Sequence, residues 1–432
     1  MKTKFNLRII SLVLSLVLLV LNNVQGQVSK TYSLDTLQSY ARNRFPLTHQ
    51  LLLQAQFGAE AERNVNTAWL PTSKIVGSAA YLSEVTALNL PASIPIQMEE
   101  GDKDQYKIGV ELSQLIFDGG LSQAASNVEA LNTKVETEKI EAERLKIEAQ
   151  VNDLFEGILI NIETRNILKY IENDLLTRET NLQQAVQSGV ALKSVLLELE
   201  ADITGLRQKQ IENLAQKRML LSKLTMLTQE PFDTASVFVY AQESQILQNQ
   251  DFSNRPEYKQ LTAQIGLSDW RIKQINRSNL PKLAAFGNGY YGRPGYNQMN
   301  FDFREYWMVG VGLSWNIGGT YTSTHQKQMV RIGKQMSETQ RDIFNNSMKS
   351  QDEQFKIDFE KLSDLIAKDS VIVNMRGEVS RTAATQFESG AITLQDYVLK
   401  ITAEGQAMVN QRIHEIQHNL LFIKYRTFLN RQ

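Results

Sequence analysis

Apolar residues recur at alternating steps of three and four along much of the chain, with charged residues between them. Such spacing places the apolar side chains along one seam of a helix and is typical of coiled coils. Two long stretches, 96–230 and 295–432, also lack proline, which costs about 3 kcal/mol inside a helix. The pattern therefore predicts long uninterrupted helices, at about 121–187, 192–228, 321–387 and 393–428. A long helical bundle is the simplest alternative with the same pattern.

In two segments the apolar period shortens to two, as expected of strands with one apolar face. The alternating apolar residues are Tyr106, Ile108, Val110 and Leu112 in the first segment, and Trp307, Val309, Val311, Leu313 and Trp315 in the second. Trp307 and Trp315 are eight residues apart, which is about 26 Å along a strand and fits a lipid-facing aromatic girdle. We therefore predict β-hairpins at about 70–118 and 281–318. A strand in a soluble sheet is the alternative.

The first strand of each predicted hairpin alternates less regularly. Ile75 and Tyr81 share a parity with the small residues Gly77 and Ala79, so the pattern alone does not identify an outward face there. Two hairpins supply four strands, whereas the smallest membrane barrels have about eight. A membrane location for these strands therefore predicts an α+β membrane protein that oligomerises and shares one β-barrel among its copies.

The same landmarks occur twice along the chain. Pro46 and Pro256 are 210 residues apart, and Pro71 and Pro281 have the same separation. Gly119-Gly120 recurs as Gly318-Gly319 after 199 residues, and Gly189 recurs as Gly390 after 201. This spacing predicts an internal duplication, with one repeat at 27–230, a linker at 231–252 and a second repeat at 253–432. The second repeat is shorter by about ten residues between its Leu-Pro and Gly-Gly pairs.

The first 26 residues have the pattern of a secretory signal peptide. Lys2, Lys4 and Arg8 precede an apolar run of 13 residues from Ile9 to Leu21, and we predict cleavage before Gln27. A signal anchor is the alternative, but the run is shorter than the ~20 residues of a spanning helix. The mature chain is predicted to be periplasmic, secreted, or inserted as β-strands.

Composition excludes several classes of function. The chain has 46 lysines and arginines against 47 aspartates and glutamates. It therefore lacks the excess of positive charge that would indicate nucleic acid as a partner. The chain has no cysteine, which excludes disulfides, thiolate metal sites and cysteine nucleophiles. A GxxxxGK[ST] phosphate loop and a GxSxG elbow are also absent from the sequence. We expect no enzyme activity, no cofactor and no metal.

One enzyme-like motif requires separate consideration. The segment from His414 to His418 matches HExxH, in which two histidines on one helix face bind zinc and the glutamate, here Glu415, acts as a base. A catalytic zinc needs a third protein ligand, and the residues after His418 contain no histidine, aspartate, glutamate or cysteine. The motif also lies on the coiled-coil seam. We therefore interpret it as a chance match.

Several segments, taken in their order along the chain, resemble the TolC-like outer-membrane efflux family. They are Ser33-Leu34, the run from Asn43 to Pro46, the strand ends LSQLIFDGG and LSWNIGG, the helix start at Asn254 to Glu257, Leu280 to Leu283, and the two Ser-Gly turns. The resemblance covers essentially the whole mature chain. It implies a homotrimer that forms one barrel in the outer membrane, in contact with its lipid, and a helical barrel across the periplasm. It also implies a passive export duct that works with a periplasmic adaptor and an inner-membrane RND or ABC transporter. A periplasmic coiled-coil scaffold without channel activity is the alternative.

The resemblance also implies roles for the two helix-connecting turns. Gly189 and Val190 in one turn, and Gly390 and Ala391 in the other, are the expected adaptor-docking tips. The family often has Val-Gly there, whereas this chain has Ser-Gly, and a plain helix-connecting turn is the alternative. Some members carry two aspartates, three residues apart, as an acidic gate. Here Asp396 occupies the first position and Leu399 the second. In the first repeat, Glu198 occupies the place that corresponds to Leu399, nine residues after the glycine of the turn. Alternatively, Asp396 is an ordinary carboxylate at a helix N-terminus.

Overall fold

A computed structural model describes residues 30–85, 101–240, 251–298 and 300–430. The predicted signal peptide, 1–26, lies outside these residues. The helices are α1 (Leu34–Arg44), α2 (Leu47–Asn66), α3 (Leu121–Gln187), α4 (Lys193–Thr228), α5 (Pro256–Ser278), α6 (Gly319–Glu388) and α7 (Leu394–Phe428). The strands are β1 (Thr31–Ser33), β2 (Thr72–Tyr81), β3 (Asp104–Phe117), β4 (Val237–Val239), β5 (Lys282–Arg293) and β6 (Arg304–Ser314). The prediction of a mostly helical chain with a few strands is confirmed.

The described residues divide into two compact units. The first contains residues 30–48, 143–240 and 350–430, together with Asp251, and the second contains residues 49–85, 101–142, 252–298 and 300–349. Both long helices, α3 and α6, contribute residues to each unit. None of the described helices is long and apolar enough to cross a membrane.

The first unit has an apolar core where α3, α4 and α7 meet. Its buried residues include Val151, Phe155 and Ile158 from α3, Leu221 and Leu224 from α4, and Ile416 and Leu420 from α7. These residues follow the three-four spacing of the sequence, so each helix turns one seam toward the others. Removing that apolar surface from water is the main term that stabilises such a core.

A small parallel sheet closes this core, and sequence reasoning missed it. β1 pairs with β4 through Thr31 opposite Val237 and Ser33 opposite Val239, and Tyr32 and Phe238 join the buried cluster. β4 lies inside the segment that we predicted to be a linker. Each strand has only three residues, too few for a period of two to be visible in the sequence.

A second core of the first unit lies near the helix-connecting turns. It contains Ile171 and Leu175 from α3, Leu199 and Ile203 from α4, and Tyr397 and Ile401 from α7. Gly405 of α7 allows close helix packing here, because a β-carbon at that position would overlap with the Ile171 side chain. The turns are therefore supported by packed helices on both sides.

The second unit contains a four-stranded antiparallel sheet in the order β2-β3-β5-β6, formed by described residues only. In register, Ile75 lies opposite Val110, Val110 opposite Gly289, and Gly289 opposite Trp307. A β-bulge shifts the pairing of β3 with β5 between Leu115 and Phe117. β2 and β6 form the two edges of this sheet. Each edge strand presents backbone groups that a further strand can pair with.

Candidate functional site

The sheet has one face, here called the apolar face, that is covered with exposed apolar side chains. The register aligns them across all four strands: Ile75, Ile108, Val110, Leu112, Tyr291, Trp307, Val309, Val311 and Leu313. The exposed fraction reaches 83% at Ile75 and 73% at Trp307. A continuous exposed apolar surface of this kind marks an interaction surface for lipid or another protein.

The register also resolves the orientation of β2, which is ambiguous in the sequence pattern. Ile75 lies opposite Val110 and Tyr81 opposite Asp104, and both are on the apolar face with Trp307. The small residues Gly77 and Ala79 share that face, because they lie opposite Ile108 and Tyr106 of β3. The outward face of β2 is therefore set by pairing with β3.

The two tryptophans of the expected girdle lie in different settings. Trp307 projects from β6, whereas Trp315 comes directly after the last residue of that strand, Ser314. The Trp315 indole donates a hydrogen bond to the carbonyl oxygen of Asn279 at 3.0 Å, although its ring is still exposed. A ring with one apolar side and one bonded N–H suits a boundary between lipid and water. Their assignment as a lipid-facing girdle stays a prediction.

Both helix-connecting turns have the same backbone geometry. Gly189 and Gly390 each have φ of +75°. The N–H of Val190 donates to Ala185 O at 2.8 Å, and the N–H of Ala391 donates to Gln386 O at 2.8 Å. The glycines complete the pattern with shorter-range bonds, from Gly189 to Val186 and from Gly390 to Phe387. These are Schellman motifs, in which glycine tolerates the left-handed residue that ends the helix.

The residues on the C-terminal side of the glycine differ between the two turns. After Gly189, Val190 and Leu192 are strongly exposed, with Leu192 in the cap position of α4 and no side-chain hydrogen bond there. After Gly390, Thr393 caps α7 through its hydroxyl, which accepts from the Asp396 N–H at 3.1 Å. The first turn therefore presents apolar surface, while the second is closed by polar contacts.

The carboxylates predicted to form a gate, Asp396 and Glu198, are both exposed. Asp396 completes a capping box, accepting from the Thr393 hydroxyl at 2.7 Å and from its N–H at 3.2 Å. The hydrogen bond from the Thr393 side chain holds the pKa of Asp396 below its usual value. Asp396 thus has the helix-capping role that was the alternative interpretation, and its role as a gate stays a prediction.

A polar network that sequence reasoning missed lies beside the second turn. The Tyr397 hydroxyl donates to Asp174 of α3, and Arg178 of α3 pairs with Asp174 at 3.6 Å and with Glu388 of α6. Tyr397 is 1% exposed, and the Arg178 guanidinium lies 5.4 Å from the centre of its ring. Burial and the bond to Asp174 raise the pKa of Tyr397, so its hydroxyl stays protonated. The network joins three helices that end or begin near the turns.

The HExxH residues contact neighbouring side chains of the first unit. His414 Nδ1 lies 2.6 Å from Asp369 Oδ2, Glu415 pairs with Arg412 at 2.6 Å, and His418 Nε2 lies 3.3 Å from the Ser363 hydroxyl. Among the residues that the structure describes, no group of three or more histidines, aspartates or glutamates is placed to hold a metal ion. Each of the three motif residues therefore has a contact on α6 or α7.

Comparison with solved structures identifies the fold as that of outer-membrane channels. The Campylobacter jejuni CmeC outer membrane channel superposes with a TM-score of 0.71 at 14% identity, covering 92% of this chain and 85% of that one. The outer membrane protein VceC of Vibrio cholerae gives 0.71 at 12% identity, covering 92% and 95%. The open state of the Neisseria gonorrhoeae MtrE outer membrane channel gives 0.69 at 14% identity, covering 92% and 89%.

These likenesses confirm the TolC-like resemblance at the level of fold. At identities this low they show the fold alone. No protein-family model and no curated protein sequence matches the chain.

Proposed function

We propose that the protein is the outer-membrane channel of a tripartite export system, a passive duct to the cell exterior. The observation that carries this proposal is the apolar face of the sheet, which is exposed across all four strands. A water-soluble protein gains nothing from displaying Trp307, Val309 and Val311 to solvent, because burying each such side chain is worth about 1.5–3 kcal/mol. Lipid is the occupant that suits a sheet with this face.

The strand count and the free edges support a homotrimer. The described sheet has four strands, ends in β2 and β6, and cannot close on itself. Pairing β6 of one copy with β2 of the next satisfies both edges. Three copies then give twelve strands, an even number within the range of outer-membrane barrels. Placing this barrel in the outer membrane leaves the helical part in the periplasm.

The helix-connecting turns are the proposed docking tips for a periplasmic adaptor that links the duct to an inner-membrane RND or ABC transporter. Support comes from the exposed residues at Gly189 and Val190, and at Gly390 and Ala391. The duct opens when the packed helices beside the tips separate, and the network around Tyr397 and Asp174 stabilises the closed arrangement. An adaptor opens the duct by binding the separated helices more tightly than the packed ones.

We further propose that Asp396 and Glu198 line an acidic constriction at the tips when three chains assemble. Asp396→Ala is expected to raise single-channel conductance or to weaken block by multivalent cations. Because Asp396 also caps α7, Asp396→Asn is the informative control, since asparagine keeps an oxygen for the cap but loses the charge. Unchanged conductance and unchanged block in both variants would remove Asp396 from the constriction.

Cell fractionation tests the channel proposal. The full-length protein should sediment with outer membranes, resist extraction by urea, and migrate as a trimer that heat converts to a monomer. A monomer that urea removes from the membrane would contradict the proposal. That result would favour the periplasmic coiled-coil scaffold.

A further inference from the structure

The side of the sheet opposite the apolar face, here called the polar face, carries most of the charge of the strands. The charged residues with this parity are Lys74, Lys107, Glu111, Lys282 and Arg304. They comprise four cations and one carboxylate, a net charge of +3 among the described strand residues. The apolar face has Asp104, Arg293 and Glu305, all at the hairpin ends of the strands, with a net charge of −1. The two faces thus differ in both polarity and sign.

The one carboxylate of the polar face is engaged by its neighbours. Glu111 lies opposite Lys74 in the β2–β3 register. Its Oε1 also accepts a hydrogen bond of 2.7 Å from the Tyr290 hydroxyl. The Lys107 ammonium lies 4.7 Å from the centre of the same Tyr290 ring. Glu111 is therefore balanced locally, and the remaining excess charge of this face is positive.

Energetics decide which way each face points in a barrel. Lysine or arginine on the lipid side of a barrel costs about 2–4 kcal/mol at the bilayer midplane. The apolar face has no charged residue between Tyr106 and Leu112 of β3 or between Tyr306 and Ser314 of β6. In β3 the residues of the apolar face are more exposed than those of the polar face. Ile108, Val110 and Leu112 are exposed, whereas Lys107 and Glu111 are half-buried. The polar face is therefore the lumenal one.

We propose that the barrel lumen prefers anions, so that negatively charged solutes are the favoured cargo of this segment. The inference rests on the proposed channel function. Three copies bring three sets of four cations and one carboxylate around one water-filled lumen, and rings of lysine and arginine select anions in pores. A lumen of one sign also raises the local concentration of solutes of the opposite sign.

Reversal potentials in planar bilayers under a KCl gradient test this preference. The full-length protein is used with Glu198→Gln and Asp396→Asn, so that carboxylates of the proposed tip gate do not mask the barrel. Chloride should be more permeant than potassium. Lys74→Gln combined with Lys107→Gln should lower the chloride-to-potassium permeability ratio by about threefold, and Glu111→Gln should raise it.

Glu305→Gln is the matched control, because it removes the same charge as Glu111→Gln from the opposite face. Its permeability ratio should equal that of the parent. Channels that prefer potassium, or a ratio that the lysine variants leave unchanged, would overturn the anion preference while leaving the channel function intact. Absence of any channel would contradict the proposed function itself, and the anion preference with it.

Discussion

The two helix-connecting turns have the same backbone conformation but differ in the exposure and hydrogen bonding of their side chains. Gly189 and Gly390 have the same φ and complete the same Schellman hydrogen bonds. At the second turn, Thr393 and Asp396 form a capping box, and Tyr397 is fully buried one residue later. At the first turn, Leu192 occupies the cap position without a side-chain hydrogen bond, and Val190 is 83% exposed.

This difference indicates that the two proposed tips have different roles. The second turn is held by a cap, by a buried aromatic ring and by the network to Asp174 and Arg178. The first turn has apolar side chains in water, which gain free energy when a partner covers them. We therefore expect the second turn to control the closed packing and the first to supply more of the contact with an adaptor.

The largest effect is expected from Tyr397→Ala. Removing a fully buried aromatic side chain should lower the free energy of unfolding by about 3–5 kcal/mol. Leu196 occupies the matching position, seven residues after its glycine, and is only half-buried, so Leu196→Ala should cost less. Chemical denaturation of the purified protein measures both. Equal costs would contradict the difference between the turns.

Tyr397→Phe distinguishes the contribution of the aromatic ring to stability from that of the hydroxyl. The variant keeps the aromatic packing and loses the hydrogen bond to Asp174, so it should cost about 1–3 kcal/mol, because Asp174 is left with one partner fewer. If the network stabilises the closed helices, this variant should also open more often in single-channel recordings. An unchanged open probability would restrict Tyr397 to a packing role.

The two glycines should respond alike to the same substitution. A β-carbon at Gly189 or at Gly390 would meet no atom within 4 Å, so only the left-handed backbone opposes alanine. Gly189→Ala and Gly390→Ala should therefore each cost about 1–2 kcal/mol. Unfolding free energies that differ by more than about 1 kcal/mol would show that the backbones are not equivalent.

Smaller effects of opposite sign are expected at the two caps. Thr393→Ala removes the side-chain acceptor at the start of α7 and should cost about 1 kcal/mol. Leu192→Thr supplies such an acceptor to α4 and should stabilise by up to about 1 kcal/mol. Unfolding free energies of both variants check the signs. A loss of stability in Leu192→Thr would show that Leu192 contributes through contacts other than a cap.

The smallest effect is a pH dependence at the second turn. The hydrogen bond from Thr393 lowers the pKa of Asp396. The ionised carboxylate therefore stabilises the fold at pH values above 3.8, the ordinary pKa of an aspartate. That contribution should be lost as the pH falls through the lowered pKa. The stability difference between the parent and Thr393→Ala should accordingly be larger at pH 7 than at pH 3. A difference that does not change with pH would exclude the carboxylate from the cap.

Long-range periodicity made the long elements predictable. The seam of α3 predicted a helix at 121–187, and the helix spans Leu121–Gln187, because the three-four spacing resumes after each phase slip along the segment. The strands β3 and β6 were visible because apolar residues alternate without interruption. β6 nevertheless ends at Ser314, one residue before the second tryptophan of the alternating run.

Features built from distant residues were not predictable. The Tyr397 hydroxyl bonds with Asp174, which is 223 residues away in the chain, and neither residue belongs to a local motif. The β1–β4 pair likewise joins residues about 200 apart through strands of three residues. The capping box at Thr393 and Asp396 has a local signature, since it needs only a hydroxyl and a carboxylate three residues apart, and so do the two glycine turns.

Cysteine labelling of the sheet tests the central claim most directly, since the natural chain has no cysteine. Val110→Cys and Val309→Cys introduce a thiol on the apolar face, and Ser113→Cys and Met308→Cys introduce one on the polar face. In isolated outer membranes, a charged water-soluble maleimide should label the two polar-face variants and leave the two apolar-face variants unlabelled until the protein is denatured. Equal labelling of all four variants in the membrane would contradict a lipid-facing sheet.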